Sequence, residues 1–177
     1  MERYITTERL ILRSPMPIDA DALCRIKNSD FVRRYNLYPP IDEEGAREEI
    51  REYDMVVIEG REGGEFIGVI YIKEDYIRYR VNSIELAGWL DEGRARGGIM
   101  TEALRGLIPV LFDEGYGRLT ARVFGDNIAS MRLMESVGFI KEGYLCEAVK
   151  NEEGEVFDLA LYSLSREEYS KKDGKAG

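Results

Sequence analysis

Residues 84–105 have the sequence IELAGWLDEGRARGGIMTEALR, and the spacing of the apolar residues changes within it. Its first part belongs to SIELAGWL (residues 83–90), a run that predicts a strand. From residue 100 to residue 112 the apolar residues recur at intervals of three and four, which predicts a helix with one buried face. Between them lies a turn (residues 94–98) that contains two arginines and two glycines. The stretch therefore predicts a strand, a basic turn and an amphipathic helix in direct succession.

The turn at residues 94–98 is the first candidate ligand site. Glycines allow a phosphate to approach the backbone closely, the first N–H groups of a helix point toward it, and arginines add positive charge. A basic, glycine-containing loop also often does no more than cap a helix, and this alternative stays open. The turn has neither the Gly-Lys-Ser/Thr of a P-loop nor the Gly-x-Gly-x-x-Gly of a dinucleotide site, so the usual ATP and NAD signatures are absent.

The flanking sequence predicts a mixed α/β fold in a single domain (residues 1–170), followed by a polar tail (residues 171–177) that frays. A length of 177 residues fits one domain. Strands are predicted at TERLILRS, DMVVIEG, GEFIGVIYIK, SIELAGWL, LTARVF, FIKEGYLCEAV and EVFDLALYSL, and helices over residues 20–30, 42–53, 100–112 and 126–138.

Composition excludes several kinds of chemistry. The chain has no histidine, which removes Ser-His-Asp and Cys-His catalysis and every zinc site that uses histidine. Its two cysteines are too few for a disulfide framework or a four-cysteine zinc site, and we expect no metal. A net charge of −9 argues against a nucleic-acid partner. Because no apolar run could span a membrane and the N-terminus lacks a secretory pattern, we expect a cytoplasmic protein with no membrane partner.

A second candidate site follows the predicted strand LTARVF. Asp126 and Asn127 stand at the start of the next predicted helix, Ser130 follows one turn later, and Gly138 stands at the end. An asparagine at such a position usually caps the helix, and a glycine usually ends it. Taken alone, this segment favours a capping role over a binding role.

Together, five segments in this order resemble the GNAT family of acetyl-CoA-dependent N-acetyltransferases. They are TERLILR, IELAGWLDE, GGIMTEAL, DNIASMRLMESVGF, and EGYL followed by DLALYSL. The resemblance extends from residue 7 to residue 169 and looks closest to the branch that includes ribosomal-protein N-terminal acetyltransferases. It implies a GNAT fold, with a twisted, mostly antiparallel sheet of about six to seven strands, splayed at strands four and five and flanked by about four helices.

The resemblance also implies acetyl-CoA as the co-substrate, with no metal. Its thioester and pantetheine would lie along the fourth predicted strand, and its pyrophosphate on the backbone N–H groups of the basic turn. That location suits the chemistry, because a helix N-terminus stabilises an anion without a metal ion. The cofactor-binding residues implied in this way are Gly88, Trp89, Leu90, Arg96, Gly97, Gly98, Ile99, Met100, Thr101, Asn127 and Ser130.

Two positions depart from the family pattern. Ala95 stands where a glutamine or arginine usually begins the phosphate loop, although arginines flank it. Met134 stands where many members have a tyrosine that acts as general acid toward the leaving thiolate. Ser130 is the nearest replacement donor, with a simple contact to CoA as its alternative role.

A base is required, because an alkyl ammonium with a pKa of about 10 must lose a proton before it can attack a thioester. Glu85, on the fourth predicted strand, is the base that the resemblance favours. The alternative for this residue is a purely structural role. Glu147 and Asp158, on the last two strands, are secondary candidates. We expect direct transfer in a ternary complex, in which catalysis comes mainly from positioning the two substrates.

The resemblance implies a primary amine as acceptor, preferably the N-terminus of a protein or peptide. Residues 33–38 are expected to flank the acceptor groove. Seven acidic and two basic residues between residues 42 and 54 would suit a cationic amine, although an ordinary solvated helix face is the simpler explanation. Two alternatives stay open: an acetyltransferase for small, polyamine-like amines, and a non-catalytic module that senses acyl-CoA. Homodimer formation is left open as well.

Overall fold

The computed structural model describes residues 3–151 and 154–173, and its strands form one open sheet. The strands are β1 (Tyr4–Thr6), β2 (Leu10–Arg13), β3 (Met55–Gly60), β4 (Phe66–Glu74), β5 (Ser83–Leu90), β6 (Arg118–Phe124), β7 (Ile140–Lys150) and β8 (Val156–Ser165). The helices are α1 (Ala20–Lys27), α2 (Asp30–Arg33), α3 (Glu43–Glu52), α4 (Ile99–Asp113), α5 (Ile128–Ser136) and α6 (Arg166–Asp173). Short 3₁₀ turns, Pro17–Asp19 and Glu92–Arg94, precede α1 and α4.

The sheet confirms the predicted mixed and mostly antiparallel architecture. The strand order is β1-β2-β3-β4-β5-β6-β8-β7, and among the described strands only β5 and β6 pair in parallel. Their pairing joins residues 83–85 to residues 118–120 and then stops. Beyond this point the two strands diverge, which is the predicted splay, so the edge of β5 that faces β6 has no strand partner.

The described residues form eight strands, where the sequence predicts six to seven. The additional strand is β1, whose three residues pair antiparallel with β2. A strand of this length is too short to carry an alternating pattern of polar and apolar residues. The pairing of β1 with β2 therefore defines this strand, whereas the sequence of β1 alone does not.

Six α-helices occur in the part of the chain that the structure describes, against about four predicted. The region predicted as one helix over residues 20–30 forms α1 and α2, because Ser29 begins a new helix. Its hydroxyl oxygen accepts a hydrogen bond from the Val32 N–H at 3.4 Å. Helix α6 continues to Asp173, into the tail that is predicted to fray, and residues 174–177 lie outside the described residues. None of the described helices has the length and apolar character needed to cross a membrane.

The two faces of the sheet carry separate cores. Helices α4 and α5 cover one face, where Leu107 of α4 is fully buried. Helices α1 and α3 cover the other face, where Tyr71 of β4 is buried. Because successive residues of a strand point to opposite faces, β5 contributes Leu86 and Leu90 to the first core and Trp89 to the second. Strand β5 thus carries side chains into both cores, and its free edge begins where β6 diverges from it.

Candidate active site

The divergence of β5 and β6 opens a cleft of about 880 Å³. Its walls are the end of β5, the start of α4, the start of α5, part of β6 and the α2 region. Leu90 and Trp89 both line it, although their side chains belong to opposite cores, so the cleft reaches both faces of the sheet. Nine of the residues predicted to bind the cofactor line this cleft, namely Gly88, Trp89, Leu90, Gly98, Ile99, Met100, Thr101, Asn127 and Ser130.

The turn into α4 presents a row of free backbone donors. The N–H groups of residues 96–101 make no hydrogen bond to any residue that the structure describes, whereas the Glu102 N–H donates to the Gly98 carbonyl at 3.0 Å. Gly98 has a φ of +72°, in the left-handed region that favours glycine. Free N–H groups at the start of a helix are the donors that a pyrophosphate requires, so this turn fits that part of CoA. Arg96 and Gly97 are exposed and lie outside the cleft lining.

Arg9 and Glu102 hold this turn against the first strands. The Arg9 guanidinium donates from Nη1 to the Gly97 carbonyl at 2.9 Å and from Nε to the Glu102 carboxylate at 2.6 Å. The same carboxylate accepts from the Thr7 hydroxyl at 2.6 Å and from the Arg9 N–H at 2.7 Å. Burial opposes the charge of Glu102, but these hydrogen bonds outweigh it and its pKa is lowered. The motif TERL thus supports the turn into α4, a role that was not predicted from the sequence.

The start of α5 forms a second wall of the cleft. The Asn127 side-chain oxygen accepts a hydrogen bond from the Ser130 N–H at 3.1 Å and caps the helix. The Ser130 hydroxyl has no hydrogen-bond partner among the described residues, so it remains available to a ligand. Met134 also lines the cleft, with 8% of its surface exposed. This wall therefore presents a hydroxyl and a thioether, and no phenol from position 134.

Glu85 is buried beside the cleft and paired with Arg122 of β6. The guanidinium donates from Nε to Oε2 at 2.5 Å and from Nη2 to Oε1 at 3.0 Å. The hydrogen bond to Glu85 raises the pKa of Arg122. Arg122 lines the cleft, whereas Glu85 is 5% exposed and does not. The carboxylate predicted as the base thus reaches the cleft only through a neighbouring group or a water molecule.

The two secondary base candidates lie outside the cleft lining. Asp158 of β8 accepts a hydrogen bond from the Glu147 N–H at 2.7 Å. Glu147 has a φ of +48° at an irregularity in the pairing of β7 with β8. The Asp158 carboxylate therefore stabilises a bulge of this hairpin.

The acidic residues of α3 are largely paired within the fold. Two glutamates near its start pair with Arg47 and Arg51 on the exposed face. Glu49 accepts a hydrogen bond from Lys27 Nζ at 2.5 Å. No residue of α3 lines the cleft. These contacts remove the main support for a cationic acceptor bound by this helix.

The α2 region forms the remaining wall. Arg34 and Tyr35, from the segment predicted to flank the acceptor groove, line the cleft. The Tyr35 ring packs on Phe124 with 5.4 Å between ring centres, and Arg34 pairs with Asp126 at 3.7 Å. Arg122, which lies on the same side, is not among the residues predicted from the sequence. The sequence could have indicated a functional role for it, because Arg122 is a charged residue in the middle of the otherwise largely apolar strand LTARVF.

Comparison with known proteins identifies the family. The family model of the acetyltransferase (GNAT) domain matches residues 9–140. The chain is 30% identical over 175 residues to the uncharacterised N-acetyltransferase p20 of Bacillus licheniformis, covering 93% of the chain and 97% of the relative.

Solved structures show the same fold. The ribosomal-protein-S5-alanine acetyltransferase of Vibrio fischeri superposes with a TM-score of 0.83 at 18% identity, covering 94% of this chain and 98% of that one. The microcin C7 self-immunity acetyltransferase MccE, in complex with acetyl-CoA and AMP, superposes with a TM-score of 0.77 at 20% identity, covering 90% and 93%. With a domain match over most of its length, the chain belongs to the GNAT family of acetyl-CoA-dependent N-acetyltransferases.

Proposed function

We propose that this enzyme transfers the acetyl group to the N-terminal amine of a protein or peptide, directly and with both substrates bound. The observation that carries the proposal is the cleft between β5 and β6, which reaches both faces of the sheet. A donor on the α4 side and an acceptor on the α2 side can meet at residues 88–90 without exchanging places. The fold similarity to a ribosomal-protein acetyltransferase supports a polypeptide acceptor.

In this scheme the N–H groups of residues 96–101 bind the pyrophosphate of acetyl-CoA. The acceptor nitrogen attacks the thioester carbon, a C–N bond forms, and the C–S bond breaks to release the thiolate of CoA. Backbone N–H groups on the free edge of β5 stabilise the oxyanion, and the Ser130 hydroxyl donates to the thiolate. Glu85 takes the proton of the amine through a water molecule.

The donor site is tested by thermal unfolding with acetyl-CoA, CoA, ATP and NAD. A ligand at about 100-fold over its Kd adds roughly 2.7 kcal/mol of stability, which is a shift of a few degrees at this size. We expect a shift with acetyl-CoA and CoA only. An unchanged Tm with both CoA species would contradict the binding role of the turn at residues 96–101.

The acceptor is tested by release of free CoA from acetyl-CoA with a peptide panel and a panel of small amines, including polyamines. We expect turnover with peptide N-termini, and loss of the product when the N-terminus is already blocked. Faster turnover with small amines would replace the peptide assignment by the small-amine alternative. Binding of acetyl-CoA with no turnover on either panel would favour the non-catalytic sensor.

We also propose that the enzyme acts in the cytoplasm as a reduced protein. Cys24 is half-buried, Cys146 is exposed, and both are free thiols. Free thiols are the usual state of cysteine in a reducing compartment.

A further inference from the structure

Lys73 of β4 lies next to Trp89, a lining residue of the cleft, although Lys73 itself is not among the residues that line it. It pairs across the strands with Glu85 of β5, so both side chains are on the sheet face covered by α1 and α3. Its ammonium is 5.6 Å from the centre of the Trp89 ring, which lines the cleft. The rings of Tyr71 and Tyr38 lie at 5.3 Å and 5.5 Å from the same nitrogen. Lys73 is therefore held among three aromatic rings at the edge of the reaction site.

The charges around Lys73 leave one cation without a partner. Arg122 is paired with Glu85. Lys27 is paired with Glu49, and Arg34 with Asp126. Lys73 has no hydrogen bond or ion pair with any residue in the described part of the chain. Aromatic rings attract a cation but carry no net charge. The carboxylates of Glu85 and Glu49 act on the ammonium from a distance, but each is paired with another cation. The three cations Lys73, Lys27 and Arg122 therefore face only these two carboxylates.

Arg122 adds a second donor on the same side. Glu85 occupies its Nε and Nη2, and Nη1 makes no hydrogen bond to any described residue. A guanidinium has five N–H donors, so the pairing with Glu85 leaves others for a ligand. Burial lowers the pKa of Lys73, the carboxylates of Glu85 and Glu49 oppose this shift, and the positive charges of Lys27 and Arg122 add to it. An incoming anion would relieve this unfavourable charge.

We propose that Lys73, together with Nη1 of Arg122, binds a carboxylate that the acceptor carries close to its reacting amine. The inference rests on the proposed acetyl transfer and adds the class of acceptor. The carboxylate has two sources, the α-carboxylate of a free amino acid or an acidic side chain near a peptide N-terminus. Polyamines, which lack an anionic group, are disfavoured. The chain as a whole is acidic, with a net charge of −9, so an unpaired cation here is a local exception that suits an anionic group.

The test compares matched acceptors with the wild-type enzyme and acetyl-CoA. One pair is a peptide that begins with aspartate and the same peptide with asparagine. The other pair is a free amino acid and its α-amide. We expect kcat/KM to be about tenfold or more higher for the carboxylate in at least one pair, because a charge-assisted hydrogen bond is lost with the amide. The pair that responds identifies the source. Equal kcat/KM within both pairs overturns the proposal while leaving acetyl transfer intact.

Substitutions of Lys73 test whether this residue causes the preference for acceptors that carry a carboxylate. Lys73→Gln should bring the two members of the responding pair to within about twofold of each other, and Lys73→Arg should retain part of the preference. The matched control is Lys141→Gln on β7, whose ammonium also lies on an aromatic ring, that of Tyr144 at 3.8 Å, but on a ring that, unlike Trp89, does not line the cleft. This control should keep the wild-type preference. A preference that persists in both Lys73 variants would overturn the role of Lys73.

An equilibrium measurement separates this inference from the proposed function. If no acceptor is turned over, acetyl transfer to these amines fails, and the anion site is decided by binding alone. The N-acetylated aspartyl peptide and its asparagine counterpart, and the N-acetylated amino acid and its amide, are titrated into the CoA-saturated wild-type protein. Tighter binding of an acid, lost in Lys73→Gln, supports the site. Equal Kd values within both pairs exclude it.

Discussion

At the scale of single residues, the site depends on side chains whose partners lie on different strands. Glu85 and Arg122 come from β5 and β6, and their hydrogen bonds join the two strands at the point where backbone pairing ends. Glu85 thus has a position that serves structure as well as chemistry. The two roles predict different results on substitution.

Replacement of Glu85 by glutamine tests the proposed base. We expect kcat to fall by about 10²-fold or more, because the amide cannot accept the proton of the amine. The stability should fall by about 1–3 kcal/mol, since Arg122 loses its charged partner. Steady-state kinetics and urea unfolding measure the two effects separately.

Glu59→Gln is the matched control for this variant. Glu59 of β3 pairs with Arg13 at 2.6 Å and lies outside the cleft lining, so its replacement should reduce stability without reducing kcat. If Glu85→Gln behaves like this control, Glu85 is structural and the proton leaves by another route.

At the scale of elements, α4 links the turn at residues 94–98 to the core. It runs unbroken from Ile99 to Asp113, although Gly106 and Pro109 are both poor helix formers. Gly106 is explained by packing, because a Cβ there would lie 2.9 Å from Thr7 Cγ2 and 3.4 Å from Leu12 Cδ1. The close approach of α4 to β2 also brings Glu102 within reach of Arg9.

Gly106→Ala should therefore destabilise the protein in spite of the better helix propensity of alanine. We expect a loss of about 1–3 kcal/mol, because the methyl group forces α4 away from the first strands. The variant should also bind acetyl-CoA more weakly, because a displaced α4 would disturb the contact of Arg9 with the turn that precedes this helix. Thermal unfolding and titration calorimetry measure the two effects.

Gly45→Ala in α3 provides the control. The atoms nearest to its added Cβ would be Oδ1 of Asp42, at 3.3 Å, and two carbons of the Ile41 side chain, the nearer at 3.5 Å. Because none of these atoms is closer than 3.3 Å, stability should change by less than about 1 kcal/mol. Equal losses in the two variants would show that packing of α4 against β2 is not the cause.

At the scale of the whole molecule, contacts between distant segments make the stability depend on pH. Tyr162 of β8 is 1% exposed and donates a hydrogen bond to Glu135 of α5 at 3.2 Å. Burial, with a further contribution from Glu135, raises the pKa of Tyr162 to about 12. The folded chain thus keeps a proton that the unfolded chain, with a tyrosine pKa of about 10, loses.

Stability should consequently decrease as pH rises from about 10 to about 12, by roughly 2–3 kcal/mol in all. Tyr162→Phe lacks this contribution to the loss. The free energy of unfolding of the wild type should therefore exceed that of the variant by less and less over this pH range, and should finally fall below it. Urea unfolding at a series of pH values measures it. Tyr4→Phe, at a side chain that is 69% exposed, should follow the wild type. A parallel pH dependence of wild type and Tyr162→Phe would assign the alkaline loss to other groups.

Sequence alone determined the elements whose signals are local. The period of apolar residues predicted α4, the run SIELAGWL predicted β5, and the motifs in order predicted the family and the splayed sheet. Nine of the predicted cofactor residues line the cleft, because a turn followed by a helix start is itself a local unit. The base and the acceptor class stay predictions.

Only the tertiary structure decided which side chains meet across the sheet. Arg9 binds Glu102, which is 93 positions away in the sequence, and Arg122 binds Glu85, which is 37 positions away. Lys73 lies opposite Glu85, which is 12 positions away. Such partners depend on strand order and register, and neither is encoded in the local spacing of apolar residues. The strand β1 and the break between α1 and α2 depend on packing for the same reason. The periodicity of the chain therefore specifies most of its elements, whereas the arrangement of Lys73, Glu85 and Arg122 beside the cleft exists only once β4, β5 and β6 are aligned.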